Sequence, residues 1–91
     1  MRIRVNFNYK GEPFQFERAD NDLDRNYDDE PYAYMLANGG LFEYGGFEIN
    51  LLKDENGNFT HEAYVNVFED WDDNEPIETI TDLKITFVHE L

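Results

Sequence analysis

The chain of 91 residues contains no cysteine and no serine. The lack of cysteine excludes a disulfide framework and a thiolate zinc site. The lack of serine excludes a serine-based catalytic triad. No stretch approaches the ~20 consecutive apolar residues of a membrane-spanning helix, and the first residues lack the apolar run of a signal peptide. These absences predict a cytoplasmic protein with no membrane segment.

Basic residues are also scarce, because seven Lys and Arg stand against 21 Asp and Glu, for a formal net charge of −14. Such a surface repels nucleic acids and anionic membranes, and it attracts and steers a basic protein. The excess carboxylates repel one another and so oppose folding. The formation of a core therefore does not explain the excess of acidic residues. The charge therefore predicts a basic protein partner, without direct nucleic-acid or membrane binding. An acidic surface that serves only solubility is the alternative.

Aromatic residues are abundant, with eight Phe, six Tyr and one Trp. They supply bulk for the single modest core that a chain of this length can bury. We therefore expect one domain over residues 1–91.

Alternating apolar and polar residues predict several β-strands. Residues 2–17 are expected to form a hairpin about Lys10-Gly11, with Pro13 in an edge strand. Residues 47–68 are expected to form a second hairpin about an Asn-Gly turn, and residues 77–90 a C-terminal strand.

Helix signals occur between the two hairpins. Asp28 or Asp29 can cap a helix, Pro31 suits its first turn, and Asn38-Gly39 can end it. The sequence thus predicts a short helix near residues 30–37. The predicted fold class is α+β: an antiparallel sheet of four to five strands, formed by two hairpins and a C-terminal strand, with this one helix.

One acidic segment partly resembles a calcium-binding loop. Asp20, Asp22 and Asp24 match the first three ligand positions of an EF-hand loop. Position six is Arg25 where the loop needs Gly, and position 12 is Pro31 where it needs Glu. Because both residues that fix the loop geometry are replaced, we predict no metal and no other cofactor. A weak calcium-responsive module is a further hypothesis.

The sequence offers little for catalysis. His61 and His89 are far apart in sequence and have no convincing nucleophile beside them. The two Gly-Gly pairs lack the spacing and the Lys of a phosphate-binding loop. A pair of carboxylates for acid–base chemistry is not selective among 21. We therefore predict that the protein is not an enzyme.

The carboxylates are concentrated in two stretches that the pattern places between strands. Residues 17–30 contain seven carboxylates and two Arg, and residues 69–78 contain six carboxylates and no basic residue. Tyr27 and Trp71 supply rigid aromatic anchors within them. Because loops often carry binding residues, we expect both stretches to contact the partner. The predicted partner-binding residues are Asp20, Asp22, Asp24, Asp28, Asp29, Glu30, Glu69, Asp70, Trp71, Asp72, Asp73 and Glu75.

The stretches "ERADNDLDRNYDDE" and "FEDWDDNEPIE", with the size, acidity and lack of cysteine, give the chain a recognisable profile. It resembles the class of small acidic DNA-mimic inhibitors from phages and mobile elements, which includes anti-CRISPR and anti-restriction proteins. This resemblance implies an inhibitor that occupies the basic DNA- or RNA-binding site of a Cas effector or a restriction enzyme in a bacterial host. Its carboxylates would pair with the Lys and Arg that hold phosphates.

Two other functions fit the same sequence features. The first is an acidic immunity protein that neutralises a basic nuclease toxin, which it would bind fast through charge steering. The second is a non-enzymatic acidic binding domain with a different role.

Overall fold

The computed structural model describes residues 1–25 and 32–89, which form two antiparallel β-sheets. One sheet has the strand order β2-β1-β8, and the other has the order β3-β4-β5-β6-β7. Their inner faces share one hydrophobic core, so the architecture is a β-sandwich. The strands are β1 (Arg2–Tyr9), β2 (Glu12–Ala19), β3 (Asp24–Arg25), β4 (Tyr32–Ala37), β5 (Gly46–Lys53), β6 (Phe59–Phe68), β7 (Glu78–Ile80) and β8 (Leu83–Val88).

The predicted α+β fold class is wrong, since the structure is almost entirely β. Within the described residues, the helical segment is a single 3₁₀ turn, Asp20–Asp22. The helix expected near residues 30–37 is replaced by β4. The candidate capping residues Asp28 and Asp29 lie outside the described residues. None of the described helical structure has the length and apolarity needed to cross a membrane.

Strand β4 forms because non-local pairing outweighs local helix signals. It pairs with β5 along its whole length, from Tyr32 opposite Leu52 to Ala37 opposite Phe47. Alternate residues of β4 are buried, including Met35, whereas the side chain of Leu36 lies on the opposite face and is 44% exposed. This period of two matches a strand that covers a core with one face.

The first hairpin has the predicted position. β1 and β2 pair in register from Arg2 opposite Ala19 to Tyr9 opposite Glu12, and the two turn residues between them have positive φ. Pro13 lies opposite Asn8 of β1, in β2, which is an edge strand of its sheet, as expected for a residue without a backbone N–H.

The second hairpin joins β5 and β6. The carboxylate of Asp54 accepts hydrogen bonds from the backbone N–H groups of Asn56 and Asn58, both at 2.9 Å, and so closes the turn.

The C-terminal region differs from the single strand that was expected over residues 77–90. It divides at Thr81-Asp82 into β7, which pairs with β6, and β8, which pairs with β1. The chain thereby passes from one sheet to the other.

Aromatic packing joins the two sheets. The fully buried Phe47 of β5 has its ring centroid 4.9 Å from those of Phe7 and Phe14, and 5.8–5.9 Å from those of Tyr9 and Phe16. The partners come from β1 and β2, so this cluster holds the five-stranded sheet against the three-stranded one. The rest of the core includes the aliphatic side chains of Ile3, Val5, Ile49, Leu51, Val65 and Val67.

We predict that Phe47→Ala lowers the free energy of unfolding by about 3–5 kcal/mol, because it opens a cavity between the sheets. Leu36→Ala, at an exposed position on the other face of the five-stranded sheet, should change it by less than about 1 kcal/mol. Urea unfolding followed by circular dichroism measures both. Similar losses for the two variants would contradict this account of the core.

Candidate partner-binding site

The second acidic stretch is an ordered loop between β6 and β7. The backbone N–H of Trp71 donates to the carbonyl oxygen of Tyr44 at 2.9 Å. The N–H of Asp72 donates to the Asp70 carboxylate at 2.9 Å, and the N–H of Asp73 donates to the Asp70 carbonyl at 3.0 Å. Asp70 therefore shapes the turn through its side chain, whereas Asp72 and Asp73 stay exposed.

A neighbouring loop, residues 38–45, packs against this one. Tyr44 and Asp70 form an isolated backbone bridge. A Cβ atom on Gly45 would lie 2.1 Å from the carbonyl oxygen of Phe68 and 2.5 Å from the carbonyl carbon of Glu69. Since backbone atoms cannot give way as a flexible side chain can, this close approach requires glycine.

Asn38 holds the neighbouring loop in shape. Its side-chain amide donates to the carbonyl oxygens of Phe42 and Gly45, the latter at 2.6 Å. Its side-chain oxygen accepts the backbone N–H of Gly40 at 2.8 Å. Both loops are thus braced by hydrogen bonds before any partner binds.

The two loops present aromatic rings among carboxylates. Tyr44 is 66% exposed and Trp71 is 40% exposed. The Trp71 ring rests on Phe68, with the ring centroids 5.8 Å apart. An open depression of ≈ 420 Å³ is lined by Tyr44, Asp70, Trp71 and Asp72. We call the surface formed by Glu43, Tyr44, Glu69, Trp71, Asp72 and Asp73 the acidic end.

A second depression adjoins the first at Tyr44 and Asp70, and it extends the acidic end. It measures ≈ 430 Å³ and includes Glu43, Glu69 and Asp73 in its lining. Neither of the two loops contains a Lys or an Arg. The carboxylates of the acidic end therefore have no basic neighbour within their own loops.

The first acidic stretch is only partly described, and its residues differ in role. The backbone N–H of Asp20 donates to the carbonyl oxygen of Met1 at 3.0 Å, next to the exposed Asp22. Asp24 begins β3, where it pairs with Tyr34 of β4. The predicted binding residues Asp28, Asp29 and Glu30 lie outside the described residues.

Asp20 and Asp22 of the first acidic stretch lie at the start of β1, whereas the acidic end lies near the start of β5. β1 begins beside Asp20, and Phe7, six residues after Met1, contacts Phe47 at the other end of the core. Six strand residues span about 20 Å. Phe47 lies two residues after Gly45, which packs near Glu69. Asp20 and Asp22 are therefore not brought together with the acidic end. Glu75 is exposed in the loop that leads to β7.

The basic residues near the first stretch are engaged within the chain. The Nε atoms of Arg2 and Arg4 donate to the two carboxylate oxygens of Glu17, at 2.6 and 3.0 Å. These hydrogen bonds, with the two positive charges, hold the pKa of Glu17 below its usual range. Lys84 pairs with Asn6 along the same sheet. Arg2, Arg4 and Lys84 thus all belong to the three-stranded sheet.

The groups exposed at the acidic end suit contact with a partner. In residues 1–25 and 32–89, no group of three or more His, Asp or Glu side chains is placed to hold a metal ion. The acidic end combines exposed carboxylates with exposed rings on braced backbone, which suits contact with a cationic surface.

Sequence reasoning missed Glu43 and Tyr44 in this surface. They join it through the backbone bridge to Asp70, which links residues 26 positions apart. The nearest sequence signal was Gly45-Gly46, since glycine pairs often mark a close approach of two backbones. Comparison with known proteins finds no matching family model, no matching curated protein and no matching solved structure.

We predict that Gly45→Ala lowers the free energy of unfolding by about 3 kcal/mol or more, because its Cβ collides with fixed backbone. Gly40→Ala is the matched control: its Cβ meets open space, and only its φ of +75° opposes the change, at about 1 kcal/mol. Urea unfolding measures both variants. A smaller loss for Gly45→Ala than for Gly40→Ala would show that the two loops do not approach as described.

We also predict that the contribution of Glu17 to stability depends on pH. Because its pKa is lowered in the folded state, the stabilisation is present above the unfolded pKa of about 4.3 and is lost as the pH falls through the folded value. Glu17→Gln should therefore be less stable than the wild type at pH 7, with the difference shrinking in acid. A difference that stays constant or grows on acidification would contradict this pairing.

Proposed function

We propose that the protein is a non-enzymatic inhibitor that occupies the basic nucleic-acid-binding site of a bacterial effector, such as a Cas nuclease or a restriction enzyme, in the host cytoplasm. The observation that supports this most is the acidic end. There, exposed Glu43, Glu69, Asp72 and Asp73 surround Tyr44 and Trp71, in loops that contain no basic residue.

Charge supports the recognition step of this proposal. Lys and Arg that normally hold phosphate groups would bind the carboxylates of the acidic end, with Arg able to form paired hydrogen bonds. The net charge of −14 speeds the encounter with a cationic surface at low ionic strength. Because exposed charges are screened by salt, binding should weaken as ionic strength rises.

The hydrogen-bonded loops support tight binding to the partner in this proposal. The loop is braced at Asp70 and Trp71, and its neighbour is braced at Asn38. Little backbone order remains to be gained on binding, so less of the interaction free energy is lost to it. Trp71 and Tyr44 add contact area on side chains with few rotatable bonds. The proposed mechanism is steric exclusion of the nucleic acid, without a chemical step.

The test is displacement of labelled duplex DNA from a panel of purified Cas effectors and restriction enzymes. We predict that the wild-type protein displaces DNA from at least one of them, with the required concentration rising as DNA concentration rises. Asp72→Asn/Asp73→Asn should weaken this displacement about tenfold, since two close charge pairs are worth ~1.4 kcal/mol or more together.

The matched control is Glu55→Gln/Glu62→Gln, which removes the same charge from the β5–β6 hairpin, and it should stay within about twofold of the wild type. Equal weakening by the two double variants would mean that only total charge matters. If the protein displaces DNA from none of the effectors, the proposed function is wrong. If the protein instead binds a nuclease toxin tightly and DNA does not compete for that binding, an immunity protein is favoured.

A further inference from the structure

The depression between Tyr44 and Trp71 has a lining with a specific chemical character. Its walls are two exposed aromatic side chains on separate loops, joined by the backbone hydrogen bond from Trp71 to Tyr44. The other lining residues are Asp70 and Asp72. The Asp70 carboxylate already accepts the N–H of Asp72, whereas the side chain of Asp72 is exposed. Two exposed aromatic residues and the exposed Asp72 are thus available to a ligand.

The charge of the depression limits what can fill it. An anionic group would be repelled by Asp70 and Asp72. An apolar side chain would cover carboxylates without pairing them, which is unfavourable. A cation satisfies both the carboxylate and the electron-rich ring faces.

Among protein cations, the guanidinium group of arginine fits this lining better than the ammonium group of lysine. Guanidinium is planar, stacks on aromatic faces, is weakly hydrated and can offer two parallel N–H donors to one carboxylate. The lysine ammonium is a compact, strongly hydrated charge that offers neither stacking nor a paired geometry.

We propose that the Tyr44–Trp71 depression is an arginine-binding slot, in which a guanidinium group of the partner stacks on an aromatic ring and pairs with the carboxylate of Asp72. The slot deepens the proposed function and rests on it, because it names the partner side chain that the acidic end selects. Charge complementarity supplies the choice of occupant: both loops are acidic and carry no Lys or Arg.

The chain provides its own probe, since Trp71 is its single tryptophan. The experiment titrates the protein with two capped peptides of equal length and charge, one with arginines and one with lysines, and follows Trp71 fluorescence. The arginine peptide should bind about fivefold more tightly than the lysine peptide. Equal affinities, or no change in Trp71 emission with either peptide, would overturn the slot.

Two variants test the named contacts. Tyr44→Leu and Asp72→Asn should each remove most of the preference for arginine. Both positions are exposed, so the fold should persist, which circular dichroism verifies. Glu55→Gln/Glu62→Gln should keep the preference. Retention of the full preference by Tyr44→Leu and Asp72→Asn would show that arginine is recognised elsewhere.

The two levels of the proposal fail separately. If the peptides show no preference while the wild-type protein still displaces DNA from an effector, the slot is wrong and the inhibitor function stands. If arginine is preferred but no effector loses its DNA, the slot stands and the partner is a basic protein of another kind.

Discussion

The ring of Phe47 packs against Phe7 and Phe14 across the interface of the two sheets, and the position of the acidic end follows from that packing. Phe47 lies near the start of β5, so the packing of its ring determines the position of the first residues of β5. The preceding Gly45 then lies against the backbone of Phe68 and Glu69. That contact sets the Tyr44–Asp70 bridge, on which the exposed rings depend. The surface is therefore built directly on the core.

Electrostatics divides the molecule into regions with different roles. Arg2 and Arg4 are occupied by Glu17 on the three-stranded sheet, where they lower local repulsion. The loops of the acidic end contain no Lys or Arg that could pair with their carboxylates. Uncompensated like charges on a surface oppose folding, and a cationic partner relieves that repulsion when it binds. Aromatic packing in the core offsets the repulsion in the unbound protein.

Much of the strand content could be predicted from the sequence, because β1, β2, β5 and β6 have strong alternation and are closed by turn residues. The region of β4 could not, since its local signals favour a helix and only pairing with β5 decides otherwise. The division into two sheets also depends on contacts between distant residues, such as β1 with β8.

The candidate site was partly predictable for the same reason. Trp71, Asp72 and Asp73 stand out as an acidic loop with an aromatic anchor. Tyr44 joins them through a bridge between loops 26 positions apart, which no local pattern reveals. Asp70 looks like its neighbours in sequence, yet its carboxylate is used to shape the turn. Hydrogen bonding in the fold, and not composition, separates these roles.

The most direct test of the central claim is affinity capture from a bacterial lysate that contains Cas effectors and restriction enzymes, at low and at high salt, with elution by duplex DNA. Our account predicts that a nucleic-acid enzyme is retained at low salt and released both by salt and by DNA, because the protein and the DNA share one binding site. Retention of a partner that neither DNA nor salt releases would contradict mimicry. Recovery of no partner would leave the acidity as a solubilising feature.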